Sequence, residues 1–386
     1  MRYFLIAGEA SGDIHAAELI KAIRMNDPSA EFIFFGGDMM ASAAGVQPVV
    51  HYREMAFMGF IEVARHLPAI LGFMRTARQC IDSWHPDALI LVDYPSFNLK
   101  VAKYAATKGV RSFYFISPKV WAWKEHRVRQ IKEYITEMYS ILPFEPEFFE
   151  SRHQYHVEYV GNPTVKEIAE ARPAFADAAA FRKDYGLHPD APIVAVVPGS
   201  RRKEIADNLP AMVRACEMIG GLQVVIAGAP GVDAGLYGKV LAGSDCRTDY
   251  PVLFGKSFEI VHHSRAALVT SGTATLETAV IGTPQVVCYR MNGSPLLYGI
   301  YKRMLKVRHV SLPNLVVDAP MVPELLLHYC SSENICAELR KLIADTPERK
   351  AMLSGYGRMM EILGDGDCAA NAARGIVECL KNSMEN

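Results

Sequence analysis

Residues 1–23 read MRYFLIAGEASGDIHAAELIKAI, and this stretch sets the fold. An apolar, β-favouring run, Tyr3–Ala7, stops at Gly8-Glu9-Ala10-Ser11-Gly12-Asp13, after which Ile14, Leu19, Ile20 and Ile23 recur at helical spacing. Strand, glycine-bearing turn and helix in that order open a βαβ unit of a parallel sheet. Such turns usually cradle phosphate, because free N–H groups at a helix start attract anions. Here the turn carries two carboxylates, Glu9 and Asp13, and lacks the G-x-G-x-x-G spacing of a dinucleotide fingerprint. Ser11 or Asp13 can cap the helix that follows, which leaves Glu9 without a task. A carboxylate and a hydroxyl on glycine hinges at a strand end suit hydroxyl groups, such as those of a sugar.

The same alternation runs on through the chain. Apolar runs at Glu31–Phe35, Ala88–Val92, Ser112–Ile116 and Glu137–Leu142 predict strands, with amphipathic helices at Val63–Ile81 and Leu99–Lys108. The pattern restarts with Ile193–Val197, Gln223–Ala227, Ala266–Val269 and Pro284–Tyr289. Near-continuous apolar strands between helices predict parallel sheets covered on both faces. The fold class is therefore α/β, with two Rossmann-like, doubly wound domains. If the two face each other across a cleft, ligands lie at the carboxyl ends of both sets of strands. Pro163, Pro173, Pro189 and Pro192 mark the boundary region. The expected division is 1–165, 166–350, and a helical segment 351–386 packing back toward the first domain. Helical pattern runs over Glu333–Lys381, broken by Gly355, Gly357, Gly364 and Gly366.

The totals agree with two domains: 386 residues, 50% hydrophobic, 22% charged, formal net charge −1. Without a basic excess, nucleic acid is not an expected partner. Eight cysteines form no C-x-x-C pair and have no histidine at ligand spacing, so free thiols and no metal site are expected. The first residues are too short for a signal sequence, and no window nears the roughly 20 apolar residues of a membrane span. A cytosolic protein, or one held on a membrane surface without crossing it, is expected.

In the second half, VVPGSRRKE (196–204) sets a small turn, Pro198-Gly199-Ser200, and then Arg201 at a strand's carboxyl end. A guanidinium there offers a planar fork to phosphate oxygens; a solvated basic loop is the plainer account. LVTSGTATLETAVIGTP (268–284) is more specific. Ser271-Gly272-Thr273 opens a helix that carries Glu277. Its N–H groups and hydroxyls can hold an anion, and Glu277 can accept from ribose hydroxyls. Capping alone, with Glu277 as a capping-box partner, is compatible with this. No Walker lysine is present.

In the first half, ALILVDYPSFNLKVA (88–102) places Asp93 just after a core strand, where a carboxylate can act as general base toward an alcohol. An Asx-turn is the structural alternative. Asn98 either orients Asp93 or caps the next helix. FISPKVWAWKEHRVRQIK (115–132) combines Trp121 and Trp123 with Arg127 and other cations. SPLLYGIYKRMLKVRHVSLPN (294–314) interleaves apolar residues with Lys302, Arg303, Lys306 and Arg308. Both read as anionic-membrane contacts or as basic faces of ordinary helices.

Taken together and in order, GEASGD (8–13), SPKVWAWKEHRV (117–128), VPGSRRKE (197–204), SGTATLE (271–277) and VSLPNL (310–315) resemble the lipid-A-disaccharide synthase family over essentially the whole chain. The resemblance implies a bacterial, inverting glycosyltransferase of GT-B type. It implies UDP-2,3-diacylglucosamine as donor and 2,3-diacylglucosamine 1-phosphate (lipid X) as acceptor. The products are a β-1,6-linked disaccharide 1-phosphate and UDP, formed without metal or other cofactor on the cytoplasmic face of the inner membrane. A homodimer is compatible with it. Position by position, Asp93 becomes the leading base, Glu9, also a strand-end carboxylate, stays the alternative catalytic residue, and Glu9 and Ser11 lie on the acceptor side. Gly199, Ser200, Arg201, Ser271, Gly272, Thr273 and Glu277 hold UDP, and Asn314 lies near the donor. Lys124, Arg127 and Arg303 are candidates for the acceptor phosphate. The acyl chains are expected around Phe57–Phe60 and Leu67–Met74. Two positions depart from the family pattern: Ser96, where a second acid is common, and Ala10, where Thr is. The rival expectations are a UDP-sugar 2-epimerase on the same fold and a non-catalytic nucleotide-sugar or lipid carrier.

Overall fold

The structure is a computed structural model that describes residues 1–55, 67–122, 124–290 and 308–384. The chain forms two compact units. The first is Met1–Pro163 together with Asp365–Asn386, and the second is Thr164–Gly364.

The first unit is built on seven parallel strands: β1 (Arg2–Ala7), β2 (Glu31–Gly36), β3 (Val50–His51), β4 (Ala88–Val92), β5 (Arg111–Phe115), β6 (Glu137–Ser140) and β7 (Glu158–Tyr159). Their order is β3-β2-β1-β4-β5-β6-β7, so the winding reverses between β1 and β4. Alternation along the strands explains why both faces are covered. Tyr3, Leu5 and Ala7 enter one apolar cluster with the helix Ala10–Asn26, while Phe4 and Ile6 enter a second cluster on the opposite face.

The second unit repeats the plan with β8 (Ile193–Val197), β9 (Gln223–Gly228), β10 (Val252–Phe254), β11 (Ala266–Thr270), β12 (Gln285–Tyr289) and β13 (Glu324–Leu326). The order is β10-β9-β8-β11-β12-β13, with the reversal between β8 and β11. Both sheets are therefore doubly wound, as the sequence predicts, and each has one topological switch point where ligands of such sheets bind.

Four strands escape the sequence reading: β3, β7, β10 and β13, each of two or three residues at or beside a sheet edge. The expected C-terminal segment divides. The helix Pro347–Leu363 belongs to the second unit, and the helix Cys368–Met384 to the first. Gly355 lies inside the former because a Cβ there would sit 2.5 Å from the sulfur of Met321. The break falls instead at Gly364 and Gly366, both at positive φ. In the latter helix, Ala372, Ala373, Ile376, Val377 and Leu380 complete the β1-side core of the first unit. All eight cysteines are free thiols. Among the described residues, no helix is long and apolar enough to cross a membrane.

Candidate active site

At the first switch point, Ala7 pairs with Val92, so Gly8 and Asp93 leave adjacent strands side by side. Gly8 has no room for a side chain: a Cβ would meet the Tyr94 ring at 2.5 Å. Glu9 is exposed and stands at the helix N-cap with extended backbone, its side chain making no capping bond. Its charge reaches Tyr94, adding to burial in raising that phenol's pKa. Neither Ser11 nor Asp13 caps this helix, contrary to the sequence expectation. Ser11 is exposed in the first turn. The buried Asp13 carboxylate reaches across to accept from the N–H groups of Gly37 (2.6 Å), Met39 (3.1 Å) and Met40 (3.2 Å). It thus caps the neighbouring helix Asp38–Ala44, whose own N-cap, Gly37, has no side chain to do so.

Asp93 and Tyr94 both take left-handed backbone conformations, φ 44° and 48°. Tyrosine seldom does so, and such local strain persists only where the surroundings over-determine it. Two buried groups grip the Asp93 carbonyl: Asn98 Nδ2 donates to it at 2.6 Å, and the Tyr114 hydroxyl donates from β5. Asn98 therefore fixes the Asp93 backbone; it neither orients the carboxylate nor caps the helix Pro95–Thr107. Burial raises the Asp93 pKa, opposed by the Lys119 ammonium and the Tyr94 amide. A carboxyl so tuned at a strand end is suited to taking a proton. The next strand ends in a further outlier, the β-branched Ile116 at φ 64°.

Beyond Ile116 the chain is anchored by a residue that the sequence reading missed. Glu145 is buried and accepts from Ser117 Oγ, Ser140 Oγ and Trp121 Nε1, the last at 2.7 Å. Burial pushes its pKa up to about 7 against these three hydrogen bonds. The only local signal is an acid set between Phe144 and Pro146 in ILPFEPEFF (141–149). Trp121 is turned inward by this bond and packs edge-on to Phe144 at 5.0 Å, so its indole N–H serves the fold rather than a membrane surface. Arg127 is half-buried and donates to Ser96 Oγ at 2.7 Å. Trp123, Lys302, Arg303 and the stretch Phe57–Phe60 lie outside the described residues.

At the second switch point, Val197 pairs with Val269 and Thr270 with Cys288, which brings the ends of β8, β11 and β12 together. Gly199 has φ 116°, and a Cβ there would strike Glu204 at 2.7 Å. Glu204 accepts from the N–H groups of Ser200 (3.1 Å) and Arg201 (3.3 Å), so those amides are occupied. The Arg201 guanidinium projects outward, 72% exposed and only loosely paired with Glu204 at 3.4 Å. Gly272 N-caps the helix Thr273–Ile281 without a side-chain capping bond, leaving its first N–H groups to a ligand or solvent. Glu277, past the capping-box position, is hydrogen-bonded to Thr273, and burial raises its pKa. Thr270 Oγ1 is buried without a hydrogen-bond partner. Arg290, an exposed cation at the end of β12, was not singled out from the sequence; its N–H is held by Asn208 at 2.8 Å.

Asn314, expected near the donor, is held by the fold itself. It is buried, and its amide is fully engaged. Nδ2 donates to Val322 O and to Glu324, both at 2.9 Å, and Oδ1 accepts from the N–H groups of Met321 and Val322, both at 2.8 Å. The side chain ties the helix Leu312–Val317 to β13 and has nothing left to offer a donor.

Solved structures share the fold. A UDP-GlcNAc 2-epimerase from Neisseria meningitidis bound to UDP-GlcNAc matches with a TM-score of 0.65, covering 99% of this chain and 100% of its own at 12% identity. A glycosyltransferase from Rickettsia africae gives 0.58 over 100% and 99% at 10% identity. These likenesses show a fold of GT-B type, with two parallel-sheet units. Sequence says more. The chain is 40% identical to a lipid-A-disaccharide synthase of Myxococcus xanthus over 384 residues (98% of this chain, 97% of the relative), and 35% identical to that of Geobacter metallireducens over 383 residues (98% and 97%). Residues 3–373 match the family model for lipid-A-disaccharide synthetase. The chain belongs to the lipid-A-disaccharide synthase family and is a glycosyltransferase of lipid A biosynthesis, acting on a nucleotide sugar and a lipid.

Proposed function

We propose that this enzyme transfers the diacylglucosamine of UDP-2,3-diacylglucosamine to the 6-hydroxyl of 2,3-diacylglucosamine 1-phosphate, inverting the anomeric configuration and releasing UDP. The observation that carries this reading is Asp93. Its carboxyl leaves a core strand at the first switch point, on a strained backbone clamped by Asn98 and Tyr114, with burial favouring proton uptake. Asp93 takes the hydroxyl proton as the new bond forms. Glu9 follows the adjacent strand end and is exposed, which suits it to binding sugar hydroxyls.

The donor's diphosphate is met by Arg201 and by the uncapped N–H groups at Gly272 and Thr273, in the electrostatic role that a metal ion serves elsewhere. No metal or cofactor enters this scheme. Glu277 accepts from the ribose. Peripheral attachment to the cytoplasmic face of the inner membrane, where the acyl chains of both substrates reside, belongs to the same reading, as does a homodimer.

The test is UDP release from UDP-2,3-diacylglucosamine with and without lipid X, in wild type and Asp93→Ala. Release that requires lipid X and collapses in the variant, with donor binding retained, supports the scheme. Release or isomerisation of the donor without lipid X would favour an epimerase-like or hydrolytic reaction. Full activity in the variant moves the base to Glu9.

A further inference from the structure

Two cations reach the Asp93 segment: the Lys119 ammonium acts on its carboxyl, and Arg127 donates to Ser96, three residues further on. Among the described residues, the half-buried Arg127 guanidinium makes one hydrogen bond, to the neutral Ser96 Oγ at 2.7 Å, and no ion pair, and burial lowers its pKa. The acid nearest in sequence, Glu125, is directed to His153 at 3.2 Å. Ser96 is the second residue of the helix Pro95–Thr107, three positions after Asp93. Lys119 is exposed on the segment that Glu145 anchors through Ser117 and Trp121, and its ammonium acts on both Asp93 and Glu145. An uncompensated, partly desolvated guanidinium is costly unless a ligand supplies the counter-charge, and its fork suits phosphate oxygens.

We infer that Arg127, seated on Ser96 and assisted by Lys119, is the binding site for the acceptor's phosphate monoester. This rests on the reading of the acceptor given above. On the glucosamine ring the 6-hydroxyl, carried on the carbon outside C5, and the 1-phosphate, on C1, are separate groups on either side of the ring oxygen, so proton acceptance and phosphate binding fall to different but neighbouring residues. Asp93 serves the first and Arg127 with Lys119 the second. The phosphate thereby sets the ring's direction and presents the correct hydroxyl to the base.

The experiment measures equilibrium binding of lipid X and of the same diacylglucosamine without its phosphate, in the absence of donor. The proteins are full-length wild type, Arg127→Gln, Arg127→Lys and Lys119→Gln. Wild type should prefer the phosphorylated lipid. Arg127→Gln should lose roughly 10- to 100-fold in affinity for it and little for the other, the loss expected for a charge-assisted pair. Arg127→Lys should restore part of the preference and Lys119→Gln should lose less. Turnover measured in parallel separates the two readings. A phosphate preference that depends on Arg127 upholds the site even if no transfer occurs, and only the transfer reading then falls. Equal losses on both lipids, or a preference that survives Arg127→Gln, would overturn the assignment. So would a loss seen only in binding to vesicles of anionic phospholipid, which would give these cations to the membrane surface.

Discussion

At the scale of single residues, burial raises the pKa of two carboxyls with different work: Asp93, the proposed base, and Glu145, which anchors the chain after β5. Asp93→Asn should leave the fold intact and lower kcat by about 10²- to 10⁴-fold, the usual contribution of a positioned base; donor binding and circular dichroism check that nothing else changed. Because burial raises the Asp93 pKa, kcat/KM should fall as pH drops through that pKa, where the base is protonated, and Asp93→Asn should lack this acid limb. Glu145 tests the opposite property. Its folded pKa, about 7, lies above the ordinary carboxyl value, so the folded state holds a proton the unfolded chain has lost. Stability of the first unit should therefore decline as pH rises from about 4.5 to about 7 and level off above. Urea unfolding at a series of pH values should show this decline in wild type and not in Glu145→Gln.

At the scale of elements, what the sequence discloses depends on how local its cause is. Core strands such as ALILV (88–92) are legible because both faces are buried and every position is apolar. The edge strands are not, since two or three residues carry no period. Asp93 at a strand end is legible, but the means that hold it there are not: Tyr114 is 21 positions away, on another strand. Asp13 misleads for the same reason, its backbone partners lying 24 to 27 residues downstream. Asn314 was singled out by its motif, yet its partners fill its bonding capacity. Substituting Asp13 by Ala should cost about 1–2 kcal/mol by uncapping the helix Asp38–Ala44, with kcat changed far less than by Asp93→Asn. Thermal unfolding and initial rates separate the two effects. Gly8→Ala should behave oppositely. Its methyl displaces Tyr94 and with it Asp93, so activity falls more than stability.

For the whole molecule, the return of the helix Cys368–Met384 to the first unit was anticipated in outline, from a helical pattern past the second set of strands. Its exact share was not, because Gly355 and Gly357 look like breaks, although both lie inside the helix Pro347–Leu363 and Gly355 packs against Met321. Deleting residues 365–386 should strip Ile376, Val377 and Leu380 from the first core, a loss on the order of 5 kcal/mol. The first unit should then unfold or aggregate while the second, contiguous over Thr164–Gly364, still binds UDP. Limited proteolysis with and without UDP reads both outcomes.

That same connectivity sets an order of birth. On a ribosome, domains fold as they emerge, and here the half that starts first finishes last: its core waits for residues 365–384, made only after all of the second unit. A nascent chain thus carries an incomplete first unit while the second is made, for the time it takes to translate some two hundred codons (Thr164–Gly364). Over that interval the exposed β1-side core is the part that chaperones and proteases meet. Codon changes that slow translation across the second unit should lower the yield of active enzyme with no change in its sequence.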